Sequence, residues 1–131
     1  MFQDSLDYEI PTDIDQDNKY ELEITVSDSK ESVSDTFTLT VANVNDAPYL
    51  STTGIPATTV NEDEAMSELD VNSHFADYDS GDSLTLTASL EDDSALPGWL
   101  SFTNGVFTGT PTNSDVGEIK VKITATDSSE A

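Results

Sequence analysis

Apolar and polar side chains alternate with a period of two in several stretches of this chain. In residues 20–28, every even position through Val26 carries a large apolar side chain, and the odd positions are polar. This alternation is typical of a strand with one face in a core and the other in water. The pattern predicts four such strands, at residues 20–28, 36–44, 83–90 and 117–127.

A polar, turn-like segment, residues 29–35, separates the first two predicted strands and indicates an antiparallel hairpin. No comparable stretch has the three-and-four spacing of an amphipathic helix, and half of the residues in the nearest helix candidate, residues 62–69, are charged. Short strands between clusters of Gly, Pro, Asn and Asp are typical of sandwiches. The chain is therefore predicted to be an all-β sandwich.

An internal repeat indicates that the chain contains parts of two successive modules. Residues 121–128 repeat the pattern of residues 22–29, and both segments end in an aspartate followed by a serine. Their separation of 99 residues matches the length of a whole β-sandwich module. Two modules of that length do not fit in 131 residues. We therefore predict that residues 1–45 are the C-terminal strand pair of a preceding module, and that residues 46–131 are a second module without its last strand.

The net charge of the chain excludes some classes of binding partner. The chain has 27 acidic residues against four lysines and no arginine, for a formal net charge of −23. Nucleic acids and anionic membranes attract Lys and Arg, so neither is an expected partner. The absence of cysteine and the single histidine exclude disulfides, thiolate chemistry and a His-rich transition-metal site. Excess carboxylates suit Ca²⁺, which would also relieve their mutual repulsion.

Composition alone leaves disorder open, because hydrophobic residues make up only 35% of the chain and its net charge is high. The regular alternation described above favours a folded chain instead. No basic and then apolar leader follows Met1, and no apolar run approaches the ~20 residues of a membrane span. For a segment of a longer protein, both absences say little about the whole.

Four motifs in chain order resemble those of bacterial, calcium-binding cadherin repeats. Residues 6–9 (Leu-Asp-Tyr-Glu) resemble the Leu-Asp-x-Glu signature, and residues 43–48 (Asn-Val-Asn-Asp-Ala-Pro) resemble the Asp-x-Asn-Asp-x-x-Pro linker between repeats. Residues 77–79 (Asp-Tyr-Asp) resemble the Asp-x-Asp element of the following module. Asp127 stands where cadherins supply another aspartate at a strand end.

The segment from about residue 47 to the end is more similar to the dystroglycan-type cadherin-like domain. This resemblance implies a Greek-key, immunoglobulin-like (cadherin-like) β-sandwich, and an extracellular location at a bacterial surface or in a secreted protein. The residues that carry it are 75–84, 96–102, 109–111 and 123–127.

The cadherin resemblance implies a calcium site at the junction of two modules. Two departures affect the number of ions, which we expect to be about one to three. Tyr8 replaces the arginine often found there, and the linker begins with Asn43 and is one residue short before the proline. Such extracellular modules bind Ca²⁺ at about 10⁻⁴–10⁻³ M. The alternative is that these residues only solvate turns. The implied ligands are Asp7, Glu9, Asn45, Asp46, Asp77, Asp79 and Asp127.

Two further acidic loops admit more than one interpretation. Residues 13–18 alternate carboxylates like an EF-hand loop, but Asn18 replaces the glycine at position six and Ile24 the glutamate at position twelve. A single weakly bound ion and a solvated turn both stay open there. In residues 77–82, Gly81 permits a tight turn and Asp82 adds an oxygen, or Asp82 caps the turn before the next strand.

The first functional hypothesis is a calcium-rigidified structural and adhesive repeat, whose partners are neighbouring repeats of the same protein. The strand ending at Asp127 would expose an edge, which residues 36–43 of another copy could fill by strand swapping.

Catalysis has little support, because His74 is the single imidazole and no Gly-x-Ser-x-Gly elbow occurs. We therefore predict that the chain is not an enzyme.

The alternative hypothesis is a carbohydrate-binding module, because similar domains occur in polysaccharide-degrading bacteria. Sugar binding needs flat, exposed aromatic side chains. For Trp99, which lies among apolar neighbours, a place in the core is favoured. The candidate aromatic residues are Tyr8, Tyr20, Tyr49, Tyr78 and, if exposed, Trp99.

Overall fold

The computed structural model describes residues 6–129, and within them all extended structure is antiparallel β. The chain forms two compact units, an N-terminal unit of residues 1–44 and a C-terminal unit of residues 45–131. The strands are β1 (Lys19–Ser27), β2 (Ser32–Thr40), β3 (Tyr49–Leu50), β4 (Leu69–Asp70), β5 (Phe75–Ala76), β6 (Thr85–Leu90), β7 (Leu100–Thr103), β8 (Val106–Gly109) and β9 (Val121–Thr126).

The N-terminal unit contains the predicted hairpin, β1 with β2. Leu22 lies opposite Phe37 and Val26 opposite Val33, so the apolar positions of both strands share one face. β2 begins at Ser32, four residues before the predicted start. The turn is shorter than residues 29–35 because the Asp28 carboxylate accepts the N–H groups of the two residues that close it, Lys30 and Glu31.

The C-terminal unit has three antiparallel sheets, in the orders β4-β8-β7, β6-β9 and β3-β5. Its buried core consists of Val71, Leu100 and Phe107. Leu86 of β6 and Ile123 of β9 pack against the same core, so the β6-β9 sheet covers the β4-β8-β7 sheet. Two antiparallel layers around one core form the predicted immunoglobulin-like β-sandwich.

Two predicted strands of this unit are confirmed with shorter bounds, as β6 and β9. Residues 62–69, the nearest helix candidate, form no helix, in agreement with the all-β prediction, because the first residues form a turn and Leu69 begins β4. Short 3₁₀ helices occur at Asn72–His74 and Asn113–Asp115. The charged composition of residues 62–69 offers no apolar stripe that could hold a helix on the core.

The β7-β8 hairpin was not predicted. Its strands are four residues each, and Asn104 and Gly105 join them with positive φ angles of 51° and 78°. An Asn-Gly pair between short apolar stretches is the strongest local hairpin signal, because a type I′ turn needs positive φ at both positions. The signal was in the sequence, but strands this short show little alternation.

Two side chains singled out in the sequence have structural contacts. Trp99 is half-buried and packs against the core, as expected. The Nδ1 atom of His74 lies 2.6 Å from the hydroxyl of Thr52, and its carbonyl accepts the N–H of Ser51. These contacts hold the start of the C-terminal unit to the segment before β5.

Candidate metal-binding site

Three segments of the C-terminal unit meet at one end of its strands. β3 and β5 are antiparallel with Tyr49 opposite Ala76, so the segment entering β3 lies beside the one leaving β5. β6 and β9 are antiparallel with Thr85 opposite Thr126, so the entry to β6 lies beside the exit from β9. Residues 77–84 connect the two pairs. We call the residues gathered here the end cluster: Asn45, Asp46, Asp77, Asp79, Asp82 and Asp127.

Hydrogen bonds link the five predicted ligands of the end cluster. The side-chain amide of Asn45 donates to Asp127 Oδ2 at 3.0 Å. The backbone N–H of Asp46 donates to Asp79 Oδ2 at 2.6 Å, and the N–H of Asp79 donates to Asp77 Oδ1 at 3.0 Å. Residues 33 and 82 positions apart in sequence are therefore in direct contact.

Burial makes this cluster electrostatically costly. Asp79 is only 8% exposed and Asp127 only 7%. The Oδ2 atom of Asp77 is also buried, and it has no hydrogen-bond partner among the described residues. A buried carboxylate is unfavourable by several kcal/mol unless donors or a cation compensate it. The end cluster is therefore suited to a bound cation.

Asp46 contributes to the end cluster in a different way from the other four predicted ligands. Its side chain is exposed, whereas its backbone N–H holds the Asp79 carboxylate. Asn45 is half-buried, and its amide nitrogen also lies 3.2 Å from the carbonyl oxygen of Asp46. The linker thus contributes backbone and amide groups that orient the aspartates, in addition to its own oxygens.

Asp7 and Glu9, the remaining predicted ligands, belong to the N-terminal unit. Asp7 is exposed and accepts the N–H of Glu9 at 3.0 Å, while Glu9 is half-buried. The buried side chain of Asn18 donates to the carbonyl of Tyr8, and its own Oδ1 has no hydrogen-bond partner in the described chain. Sharing of ions between these residues and the end cluster stays a prediction.

The EF-hand-like loop brings three carboxylates close together. Ligand atoms of Asp13, Asp15 and Asp17 lie within 4.8 Å of one another. However, both oxygens of Asp13 accept backbone N–H groups, those of residues 17 and 18. The ammonium of Lys19 lies 2.9 Å from Asp17 and holds the pKa of that carboxyl below its usual range. The chain itself therefore satisfies the carboxylates of Asp13 and Asp17, which favours the solvated turn.

The aspartates of the end cluster do not reach this spacing among residues 6–129. Their ligand atoms are all oxygens, the type that Ca²⁺ requires in sets of six to eight. The donor chemistry is therefore of the type that calcium uses, although the ligand atoms are not gathered to the spacing of a formed site.

Asp82 is absent from the ligand set that the cadherin resemblance implies, although an oxygen from Asp82 was one of the two interpretations left open for residues 77–82. Its Oδ1 accepts the hydroxyls of Ser128 and Ser129 at 3.1 and 3.2 Å, directly after Asp127. Its Oδ2 is buried without a hydrogen-bond partner in the described part of the chain. The available signal was the spacing of three aspartates in residues 77–82, which also permitted a turn-capping role.

The family comparison agrees with the fold. A family model described as “Putative Ig domain” matches residues 48–131, more than half of the chain. Searches of the curated proteins and of the solved structures gave no significant match. Ig-like domains are typically structural rather than enzymatic, and many are extracellular. Among residues 6–129, no helix has the length and apolar character of a membrane span. The β-sandwich of the C-terminal unit and this match agree, and the chain belongs to the Ig-domain family.

Proposed function

We propose that this chain is a calcium-binding structural and adhesive repeat of a large extracellular or cell-surface protein of bacteria. Calcium binds at the end cluster of the C-terminal unit, and Asp7 and Glu9 of the N-terminal unit contribute to the same junction. The ion fixes the connection between successive repeats. Its partners are the neighbouring repeats of the same protein.

The burial of Asp79 and Asp127 carries this proposal. Two carboxylates that are 8% and 7% exposed lie at one end of the sandwich, beside a bare buried oxygen of Asp77. In a protein with a net charge of −23 and four lysines, the described lysine ion pairs involve other acids, Asp17, Glu91 and Asp93. A cation from solution is the natural source of the missing positive charge.

Calcium acts on this arrangement in two ways. Without the ion, the carboxylates repel one another and the segments that carry them separate easily. With the ion, the same charges become ligands, and the linker that carries Asn45 and Asp46 is held to the ends of β5 and β9. Affinities of about 10⁻⁴–10⁻³ M suit the millimolar calcium found outside cells.

Calorimetry and thermal unfolding test the proposal. We expect millimolar Ca²⁺ to give binding heat and to raise the melting temperature, because the ion binds the folded state alone. At a tenfold excess over Kd, one site adds about 1.4 kcal/mol to the free energy of unfolding. Chelator should reverse the effect, and Asp127→Asn should abolish most of it.

The matched control is Glu118→Gln, which removes the same charge from an exposed position outside the end cluster. It should bind calcium like the unmodified protein. No binding heat, together with a melting temperature that does not respond to chelator, would disprove the proposal. Equal loss in both variants would assign the effect to net charge instead of ligation.

The carbohydrate-binding alternative stays a prediction. Tyr49 and Tyr78 are stacked with ring centroids 4.4 Å apart, and Tyr78 is 57% exposed, so this pair offers one accessible ring face. Trp99 packs against the core, and the Tyr20 hydroxyl lies 3.2 Å from the hydroxyl of Thr12. Among the described residues of the C-terminal unit, the exposed aromatic side chains are therefore the stacked pair Tyr49 and Tyr78, which is less than a row of flat platforms.

A further inference from the structure

We propose that Asp82 is a calcium ligand, and that the end cluster of the C-terminal unit binds one ion without Asp7 and Glu9. This inference rests on the proposed function and specifies which residues complete the site. Its basis is a pair of buried carboxylate oxygens, one on Asp77 and one on Asp82, that no hydrogen bond in the described chain satisfies.

Asp82 is held in place from two sides. Its backbone N–H donates to the carbonyl of Asp79 at 3.3 Å, which folds the loop back on itself. Its Oδ1 accepts hydroxyl hydrogen bonds from Ser128 and Ser129, the residues that follow Asp127. The side chain thus bridges the loop that follows β5 and the segment that follows β9.

Each of the two aspartates has one satisfied and one bare oxygen. In Asp77, Oδ1 accepts the N–H of Asp79 while Oδ2 is buried and unpartnered. In Asp82, Oδ1 accepts the two serine hydroxyls while Oδ2 is buried and unpartnered. The hydrogen bonds fix both carboxylates, and this arrangement resembles ligands oriented by their neighbours.

The two unpartnered oxygens indicate what kind of ion or group would bind in the end cluster. A buried, charged acceptor without a donor is unfavourable, and the end cluster holds two of them beside two carboxylates that are more than nine-tenths buried. A donor such as a lysine would resolve one oxygen, whereas a divalent ion can bind several at once. An all-oxygen set of this kind selects a hard cation, Ca²⁺.

A turn-capping role for Asp82 is the competing explanation, and the two roles use different oxygens. Capping uses Oδ1, which Asn retains, so Asp82→Asn preserves an acceptor for the serines and replaces the bare Oδ2 with an uncharged amide. The double variant Ser128→Ala/Ser129→Ala does the reverse, because it removes the hydroxyl donors and leaves the carboxylate intact.

The experiment is calcium titration by calorimetry on the full chain. We expect Asp82→Asn to weaken calcium binding at least tenfold, and the serine double variant to weaken it less. The matched control is Asp92→Asn, because Asp92 also accepts a serine hydroxyl, that of Ser94, but lies on an exposed turn. It should bind like the unmodified protein. Asp7→Asn/Glu9→Gln should retain at least one ion.

Unfolding in chelator provides a second readout. Asp82→Asn should be as stable as the unmodified protein or more stable, because it removes a buried uncompensated charge and keeps the Oδ1 acceptor. The serine double variant should melt at a lower temperature, because it loses the hydroxyl donors of the turn cap. If Asp82→Asn binds calcium as tightly as the unmodified protein, or loses no more affinity than the serine double variant, Asp82 is not a ligand. That outcome leaves the rest of the calcium site standing. Complete loss of binding in Asp7→Asn/Glu9→Gln would overturn the self-contained site. A chain that binds no calcium at all would overturn the proposed function together with this inference.

Discussion

Aspartates in this chain differ in what their oxygens accept. On exposed turns, neighbouring N–H and hydroxyl groups bind the carboxylate, as for Asp28 with the N–H groups of Lys30 and Glu31. These hydrogen bonds favour the ionised form and lower the pKa of Asp28. In the end cluster, Asp77 and Asp82 keep one bare oxygen each. The first kind of aspartate shapes the backbone, and the second kind is available to a cation.

Asp115 gives a prediction about acid stability. Its carboxylate accepts both the N–H and the hydroxyl of Thr112, and these bonds lower its pKa below the ordinary 3.8. Because the folded-state pKa is depressed, the stabilisation is complete above about pH 3.8 and is lost as the pH falls through the lower folded value.

Asp115→Ala should therefore unfold at lower denaturant than the unmodified protein at pH 7, and the difference should shrink under strong acid. Denaturant unfolding between pH 7 and pH 2 measures it. Glu62→Ala, an exposed acid, should show little difference at any pH. If the loss of stability in Asp115→Ala is as large at pH 2 as at pH 7, the ionised carboxylate of Asp115 is not the source of the stabilisation.

At the scale of elements, tight turns decide how the short strands pair. The β7-β8 hairpin turns at Asn104 and Gly105, and the carbonyl of Gly105 accepts the N–H of Val71, next to β4. A Cβ at Gly105 would meet the side chain of Asn72, which hydrogen-bonds to the carbonyl of Asn104. This turn therefore joins all three strands of the β4-β8-β7 sheet.

Gly105→Ala should destabilise the C-terminal unit by about 1–3 kcal/mol, because alanine at φ 78° is strained and its methyl group displaces Asn72. Urea unfolding measures the change. The control is Gly98→Ala, since a Cβ there meets no atom within 4 Å and Gly98 is not among the positive-φ glycines. Equal effects of both substitutions would contradict the account.

At the scale of the whole molecule, apolar surface is incompletely covered. The β1-β2 hairpin exposes 70% of Val33 and 49% of Phe37. In the C-terminal unit, β6 is the one described partner of β9, and an apolar cleft of about 280 Å³ lies beside it. Its lining includes Met66, Leu69, Trp99, Phe107, Val121 and Ile123.

The free edge of β9 leads to a prediction of self-association, in which the β2 strand of one copy pairs with β9 of another. β9 repeats the pattern of β1, the strand that β2 already pairs with over nine residues. We expect dimers whose fraction rises with protein concentration and with salt, because salt screens the repulsion between chains of charge −23.

Sedimentation velocity over a range of concentrations measures the association. Val33→Lys should weaken it by placing a charge on the apolar face, whereas Thr36→Lys adds the same charge to the polar face of β2 and should not. A strictly monomeric protein at high concentration and high salt would contradict strand exchange.

Period-two alternation predicted the longer strands because apolar side chains fall on one face and polar side chains on the other. In β6 and β9 the apolar face packs on the core, whereas in β1 the side chains of Ile24 and Val26 are 57% and 65% exposed. The 2- to 4-residue strands β3, β4, β5, β7 and β8 were not predicted, because so few residues contain no measurable period. Their pairing depends on turns and on contacts with strands distant in sequence.

The sequence by itself determined the fold class, the excess of oxygen ligands and the shortage of positive charge, since these depend on composition and local order. It also supplied five residues of the end cluster through motif resemblance. Only the tertiary structure decided which carboxylates are buried, which of their oxygens lack donors, and that Asp82 lies beside the segment that follows Asp127. The physical reason is that burial and hydrogen bonding depend on neighbours brought together by antiparallel register, here from segments as much as 82 residues apart.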